Sequence, residues 1–234
     1  MRNILITGGS RGIGASCVRI FAAAGDRVYF FYRSDDVAAN TLAQESGAVA
    51  LKCDVADKNA VAKTFESLPT FDVLVNNAGI CGFSLFQDIS EEDWETMIQT
   101  HLGGTFRCTK AVLPGMISKK QGCIINISSM WGQVGASCEV HYSAAKAGVI
   151  GLTKALAKEV GPSGIRVNCI APGVIDTDMN HALTSDAISS LTEETPLGRL
   201  GTPEEIAQMV YWLTTDQSSF LTGQVLSPNG GIVT

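Results

Sequence analysis

Two kinds of segment alternate along the chain: short runs that are apolar at nearly every position, and longer stretches whose apolar residues recur every three or four positions. Asn3-Ile-Leu-Ile-Thr7 and Arg27-Val-Tyr-Phe-Phe-Tyr32 are of the first kind. A strand without polar alternation is one buried on both faces, as in a parallel sheet. The pattern predicts strands near 3–7, 27–32, 48–52, 72–76, 122–128, 164–170 and 223–227, with helices near 12–24, 36–46, 57–67, 91–118, 139–160 and 203–214. The longest of these helices is predicted to break around Gly103 and Gly104 and to kink again at Pro114. Such alternation belongs to an α/β chain folded as an open, doubly wound parallel sheet of about seven strands, with helices on both faces and a ligand site at the carboxyl ends of the strands. Residues 176–200 depart from the alternation: they are polar and loop-rich, lie between Gly173 and Gly201, and read as a substrate lid.

Composition narrows the classes of function. At 234 residues, 45% of them hydrophobic, the chain can bury a sizeable core, and no repeat or low-complexity linker divides it, so one domain over 1–234 is expected. A net charge of −6 argues against broad nucleic-acid binding or attachment to an anionic membrane, both of which need a basic surface. No apolar run approaches a membrane span, and Ile4-Leu-Ile6 is too short for the core of a signal peptide. The seven cysteines (Cys17, Cys53, Cys81, Cys108, Cys123, Cys138 and Cys169) are odd in number, scattered and never spaced Cys-x-x-Cys. They read as reduced thiols of a soluble, cytoplasmic protein, most of them buried, with neither a disulfide framework nor a metal site. His141 and His181 have no metal-ligand spacing to His101 and read as surface or lid residues.

The first predicted strand runs into Thr7-Gly-Gly-Ser-Arg-Gly-Ile-Gly14, which opens a helix. Gly8, Gly12 and Gly14 let the backbone turn sharply and approach a pyrophosphate, while the free N–H groups and the helix dipole stabilise the anion; Ser10, Arg11 and Ile13 lie in the same cradle. A bare glycine cluster is often only a tight turn, but this one sits between a strand and a helix, as a Rossmann-type dinucleotide fold requires. The second strand ends at Phe31-Tyr32-Arg33-Ser34. A carboxylate there would suit the ribose hydroxyls of NAD, whereas Arg33, with Arg11 opposite, suits a 2′-phosphate, so NADP (NADPH) is expected. Asp35 and Asp36 follow at once and are read as the start of the next helix rather than as ribose ligands.

Farther on, Ser129 precedes Tyr142 by thirteen residues, and Lys146 follows Tyr142 by four. A hydroxyl, a phenol and an ammonium can together polarise a carbonyl and protonate it. A Tyr/Lys pair at this spacing also occurs on many solvated helix faces, so the order of motifs decides. Thr7-Gly-x-x-x-Gly-x-Gly14, Asp54-Val55, Asn76-Asn-Ala-Gly79, Ser129, Tyr142-x-x-x-Lys146 and Pro172-Gly173 follow one another over essentially the whole chain, and in that order they resemble the short-chain dehydrogenase/reductase family. Within it, the ending Leu221-Thr-Gly-Gln-Val and Asn229-Gly-Gly231 is most similar to 3-oxoacyl-[acyl-carrier-protein] reductase-type members.

The resemblance implies reduction of a ketone to a secondary alcohol with NADPH, on a 3-oxoacyl thioester above all, with acyl carrier protein as a possible partner and a homotetramer as the assembly. A sugar, polyol, steroid-like or other small alcohol, and a non-catalytic NADP-binding regulator, stand as alternatives. In the implied roles Tyr142 is the general acid, Lys146 lowers its pKa from the ordinary ~10 and holds the nicotinamide ribose, and Ser129 binds the substrate oxygen. Asp54, Val55, Asn77, Ala78, Gly79, Pro172, Gly173, Ile175 and Thr177 join the glycine cradle, Arg33 and Ser34 in holding the cofactor. Where the family usually carries an asparagine that holds a relay water, this chain has His101. The expectation is an active enzyme, with the water held by the backbone carbonyl or the proton relayed by the imidazole. Substrate contacts are sought in Cys81 to Phe86, at Met130-Trp-Gly132 and in Ile175 to Leu197, with Lys119, Lys120 and Arg199 as candidates for docking an acidic carrier.

Overall fold

The computed structural model describes residues 1–180 and 184–234, so His181 lies outside the described residues. Seven strands form one parallel sheet: β1 (Asn3–Thr7), β2 (Arg27–Tyr32), β3 (Val49–Lys52), β4 (Val73–Asn76), β5 (Gly122–Ile127), β6 (Ile165–Ile170) and β7 (Val225–Leu226), in the order β3-β2-β1-β4-β5-β6-β7. The helices are α1 (Gly12–Ala23), α2 (Asp36–Ser46), α3 (Lys58–Phe65), α4 (Glu91–Ile98), α5 (Gly104–Lys119), α6 (Trp131–Val134), α7 (Val140–Val160), α8 (Ser185–Glu194) and α9 (Pro203–Leu213).

The two faces of the sheet are sorted by the side-chain period of two. Ile4 and Ile6 of β1 join one core with Phe21 of α1 and Val210 of α9, while Leu5 between them joins the opposite core with Cys108 and Met116 of α5 and Ala157 of α7. Strand order reverses at β1, whose neighbours are β2 and β4. Chain segments leaving β1 and β4 therefore diverge to opposite faces and leave a crevice at their carboxyl ends.

Three departures from the expected elements matter for the site. The predicted break at Gly103 and Gly104 is a π-turn over Gln99–Gly103, in which the Gly104 N–H bonds the Gln99 carbonyl, and the helix then continues through Pro114. The expected lid holds a helix, α8, whose amino end is capped by the Thr184 hydroxyl. Lys119 and Lys120 sit at the amino ends of the strands: they immediately precede β5, and Lys119 pairs at 2.9 Å with Asp72, which immediately precedes β4. In a parallel sheet that edge is opposite the crevice, so these two lysines cannot dock a carrier at its mouth.

Candidate active site

The crevice contains two adjoining regions. The first is a cavity of about 490 Å³ over the ends of β1, β2 and β4. Of the expected cofactor residues, Gly8, Ser10, Arg11, Gly12, Ile13, Arg33, Ser34, Asp54, Val55, Asn77, Ala78, Gly79 and Thr177 line it; Gly14, Tyr142, Lys146, Pro172, Gly173 and Ile175 do not. Gly14 is packed beneath, where a Cβ would run into the Gly8 carbonyl and come within 2.6 Å of Asn77 Nδ2. Ile175 is buried, and Pro172 accepts a 2.9 Å bond from the Met130 N–H, so this pair supports the wall. Ile80 and Thr100 also line the cavity and were not anticipated, although Ile80 directly follows the Asn-Asn-Ala-Gly motif.

Local chemistry shapes this cavity for a dinucleotide. Gly8 has φ +64°, and a Cβ there would approach Ala78 Cα to 2.8 Å, so only glycine lets β1 turn this close to β4. Thr7 Oγ1 accepts 3.0 Å bonds from the N–H groups of Asn77 and Ala78, and Asn77 Nδ2 returns bonds to the carbonyls of Thr7 and Gly8. The amino end of α1 has no side-chain cap and no acid in its first turn, which leaves its N–H donors for an anion. Arg33 is exposed at the rim and makes no hydrogen bond or ion pair among the described residues, while Arg11 lies 3.9 Å from Asp178. The neighbouring carboxylates are committed elsewhere: Asp35 caps α2 through the Ala38 N–H, and Asp36 accepts from Lys52 Nζ at 2.9 Å and from the Tyr32 hydroxyl at 3.0 Å. Lys52 holds Asp36 below the ordinary carboxylate range. The residues present thus fit a phosphorylated dinucleotide.

The second region adjoins the first across Ile80, with Ser129 and Lys146 buried and Tyr142 half-buried. Ser129, two residues beyond β5, accepts from the Trp131 N–H at 3.2 Å and lies near enough to the Tyr142 phenol to lower its pKa. Lys146, one turn along α7, donates to the Ile127 carbonyl at 2.8 Å, and its Nζ lies 5.5 Å from the centre of the Tyr142 ring. Ser128 bonds the Lys146 carbonyl at 2.9 Å, which leaves Ser129 to face the phenol. Below them a buried ladder runs from Thr109 through Asn76 and Asn126 to Thr153, with bonds of 3.0, 2.8 and 2.9 Å, and fixes α7 against β4, β5 and α5.

Burial dominates the electrostatics here. It lowers Lys146 to about 8 and pushes the Tyr142 phenol well above its ordinary value, an effect that the Ser129 hydrogen bond only partly offsets. The lowered phenol expected from the Lys146 charge is therefore not what the protein alone produces: at neutral pH Tyr142 keeps its proton. His101 is buried on the π-turn with its ring edge-to-face on Tyr142, centroids 5.3 Å apart, and burial together with the Lys146 charge lowers its pKa well below the ordinary range. Its carbonyl accepts from the Thr105 hydroxyl at 2.7 Å and from the Gly104 N–H, so a water would have to compete for it. His141 is buried beside Tyr142 and is neither a surface nor a lid residue. Among the described residues no group of three His, Cys, Asp or Glu side chains can hold a metal, all seven cysteines are free, and no helix is long and apolar enough to cross a membrane.

Comparison with known proteins agrees with this geometry. The family profile described as enoyl-(acyl carrier protein) reductase matches residues 8–233. The 3-oxoacyl-[acyl-carrier-protein] reductase FabG of Chlamydia trachomatis is 44% identical over 99% of this chain and 97% of its own. The acetoacetyl-CoA reductase of Shinella zoogloeoides is 43% identical over 98% of both chains. A crystal structure of 3-oxoacyl-[acyl-carrier protein] reductase from Brucella melitensis superposes with a TM-score of 0.92 at 36% identity, covering 98% of this chain and 90% of that one. With its glycine cradle, its Ser129, Tyr142 and Lys146 cluster and full-length similarity to named reductases, the chain belongs to the short-chain dehydrogenase/reductase family of nicotinamide-dependent oxidoreductases.

Proposed function

We propose that the protein reduces a 3-oxoacyl thioester to the 3-hydroxyacyl thioester, with NADPH as reductant. The observation that carries this reading is the contact of two unlike regions across Ile80: an open anion cradle with an arginine at its rim that is unpaired among the described residues, and a half-buried phenol and a buried ammonium behind it. Gly8, Gly12 and Ile13 would cradle the pyrophosphate, Asn77 and Ala78 brace that loop through Thr7, and Arg33 with Arg11 would receive the 2′-phosphate. When bound, the dinucleotide supplies the hydride to the carbonyl carbon. Ser129 donates a hydrogen bond to the carbonyl oxygen, and Tyr142 passes it the phenolic proton as charge develops there. Lys146 stabilises the phenolate left behind, until a proton from solvent restores it.

An acyl chain suits the mouth of the crevice better than a polyol does. Phe83, Leu85 and Phe86 after β4, together with Met179 and Leu197 of the expected lid, are exposed apolar groups; Met179 lines the dinucleotide cavity, and Phe83 and Phe86 are each about 70% exposed. Arg199 is held by Glu205 through two bonds, and Lys119 and Lys120 lie at the opposite edge of the sheet, so among the described residues none of the three positions first considered for an acidic carrier presents a free cation at the crevice mouth. The proposal is accordingly for the thioester, borne by coenzyme A or by a carrier protein. A homotetramer in the cytoplasm completes the reading: Ala144 and Ala147 form an exposed small-residue stripe on α7, and Phe106 is exposed on α5.

A substrate panel followed by NADPH consumption tests this function, using acetoacetyl-CoA, acetoacetyl carrier protein, a simple ketone and a polyol with NADP, and Tyr142→Phe as the control. Turnover of either thioester well above the ketone and polyol is expected. A preference for the polyol would transfer the reading to an alcohol dehydrogenase, and tight NADPH binding without any turnover would favour a regulator.

A further inference from the structure

The wall between the dinucleotide cavity and the buried cluster is the tetrapeptide Gly79-Ile80-Cys81-Gly82, and it rests on two histidines. His101 Nε2 lies 2.8 Å from the Ile80 carbonyl and 3.1 Å from the Ile80 N–H, so one ring nitrogen holds the backbone of a single residue whichever tautomer is present, accepting from its N–H or donating to its C=O. The same ring fills the space above Gly79, where a Cβ would come within 2.5 Å of Cε1. His141 does the equivalent at Gly82, where a Cβ would meet Nε2 at 2.7 Å and the Met97 methyl at 3.0 Å. Both rings are almost fully buried, at 2% and 3% exposure, and in both Nδ1 has no hydrogen-bond partner among the described residues. Gly79, Ile80 and Cys81 line the dinucleotide cavity on one side, and the His101 ring meets Tyr142 on the other.

We propose that His101 and His141 are positioning residues: together they form a shelf that fixes Gly79-Ile80-Cys81-Gly82 between the dinucleotide and Tyr142, and neither imidazole is a step on the proton path. A relay needs a ring that gains a proton at one nitrogen while it gives one up at the other. His101 has its Nε2 committed to a peptide group, its Nδ1 without a partner and its carbonyl already doubly bonded. Neutral imidazole is the form its burial favours, which suits a clamp. The geometry also explains why a shorter amide does not serve the same purpose. An asparagine ends one bond short of the Nε2 position, whereas glutamine places its amide at the same distance from Cγ.

This inference rests on the dinucleotide-dependent reading above, and its test separates the two. Fluorescence titration with NADPH and with NADH measures cofactor affinity without any carbonyl substrate, and kcat and KM for acetoacetyl-CoA follow separately. In His101→Ala, loss of the peptide clamp is expected to weaken NADPH binding about tenfold and to lower kcat. His101→Gln is expected to restore both to within about threefold, with the native solvent deuterium isotope effect on kcat. His141→Ala is expected to weaken NADPH binding in the same direction by less. If His101→Gln binds NADPH normally yet loses turnover as deeply as Tyr142→Phe, the imidazole is a relay and the proposal is overturned. Unchanged NADPH affinity in His101→Ala overturns it equally. Should the alanine variant fail to fold, His101→Gln against His101→Asn carries the test, with glutamine expected to bind NADPH the more tightly and equal affinities overturning the clamp. If the native enzyme reduces no carbonyl compound, the proposed function falls while the affinities still decide the shelf.

Discussion

The dinucleotide cavity and the catalytic cluster are built on opposite plans. In the cavity, donors are left without partners among the described residues: the amino end of α1 has no side-chain cap and Arg33 no ion pair, which suits both to an anion. In the cluster, Ser128, Ser129 and Lys146 are bonded within the protein, and water is largely excluded. The first arrangement lets binding energy come from the ligand. The second fixes reacting groups in advance and shifts their proton affinities through burial, at a cost in stability. A short-chain reductase needs both, and the wall at Ile80 keeps them distinct.

The largest effect should come from removing the acid itself. Tyr142→Phe is expected to reduce kcat about a thousandfold while NADPH affinity, measured by fluorescence, stays near native; a parallel loss of affinity would mean that the two regions are one. Next comes the cost of burying Lys146. With its folded pKa at about 8 and its ordinary value at 10.5, the unfolded chain binds more protons than the native one between those limits. Stability from this group therefore rises with pH across that window, by roughly 3 kcal/mol, and the penalty is fully present below about pH 8. Urea unfolding of the native protein and of Lys146→Met from pH 7 to 10 should show the rise only in the former, and identical pH slopes would refute a buried amine.

Arg33→Asp should act on the cavity alone. The ratio of NADPH to NADH efficiency is expected to fall about thirtyfold, through loss of a charge-assisted contact, with kcat for the preferred cofactor largely kept. Smallest should be Asp35→Ala, which removes a helix cap and is expected to cost about 1 kcal/mol in thermal unfolding without altering cofactor preference. A shift toward NADPH in that variant would instead make Asp35 a ribose ligand.

Much of this was legible from residue patterns. The apolar runs that predict β1, β2 and β6 are the runs that the sheet buries, because a parallel strand has no solvent side to dilute its signal. The glycine cradle and the Tyr142 and Lys146 spacing were legible because each depends on local backbone or one helical turn. What depended on tertiary placement was not. Lys119 and Lys120 look available for a partner until strand direction puts them at the wrong end, and His141 looks like a surface residue until the loop at Gly82 covers it. Gly103 and Gly104 marked an interruption but not its kind, since the one additional residue of a π-turn changes hydrogen bonding without changing composition. The helix α8 was hidden for a similar reason, with few apolar residues in Ser185–Glu194 to reveal its period.

The π-turn also sets a rule about length. A residue added to or removed from an α-helix rotates everything beyond it by about 100°. The helical run from α4 to α5 is therefore a phase-setting device: its extra residue turns His101 toward Ile80 while Thr109 still faces Asn76 from two turns further on. Segments 91–98 and 104–119 can drift in sequence so long as each side chain keeps its chemistry, but the count of residues between them cannot change by one. Substitution is tolerable there in a way that deletion is not.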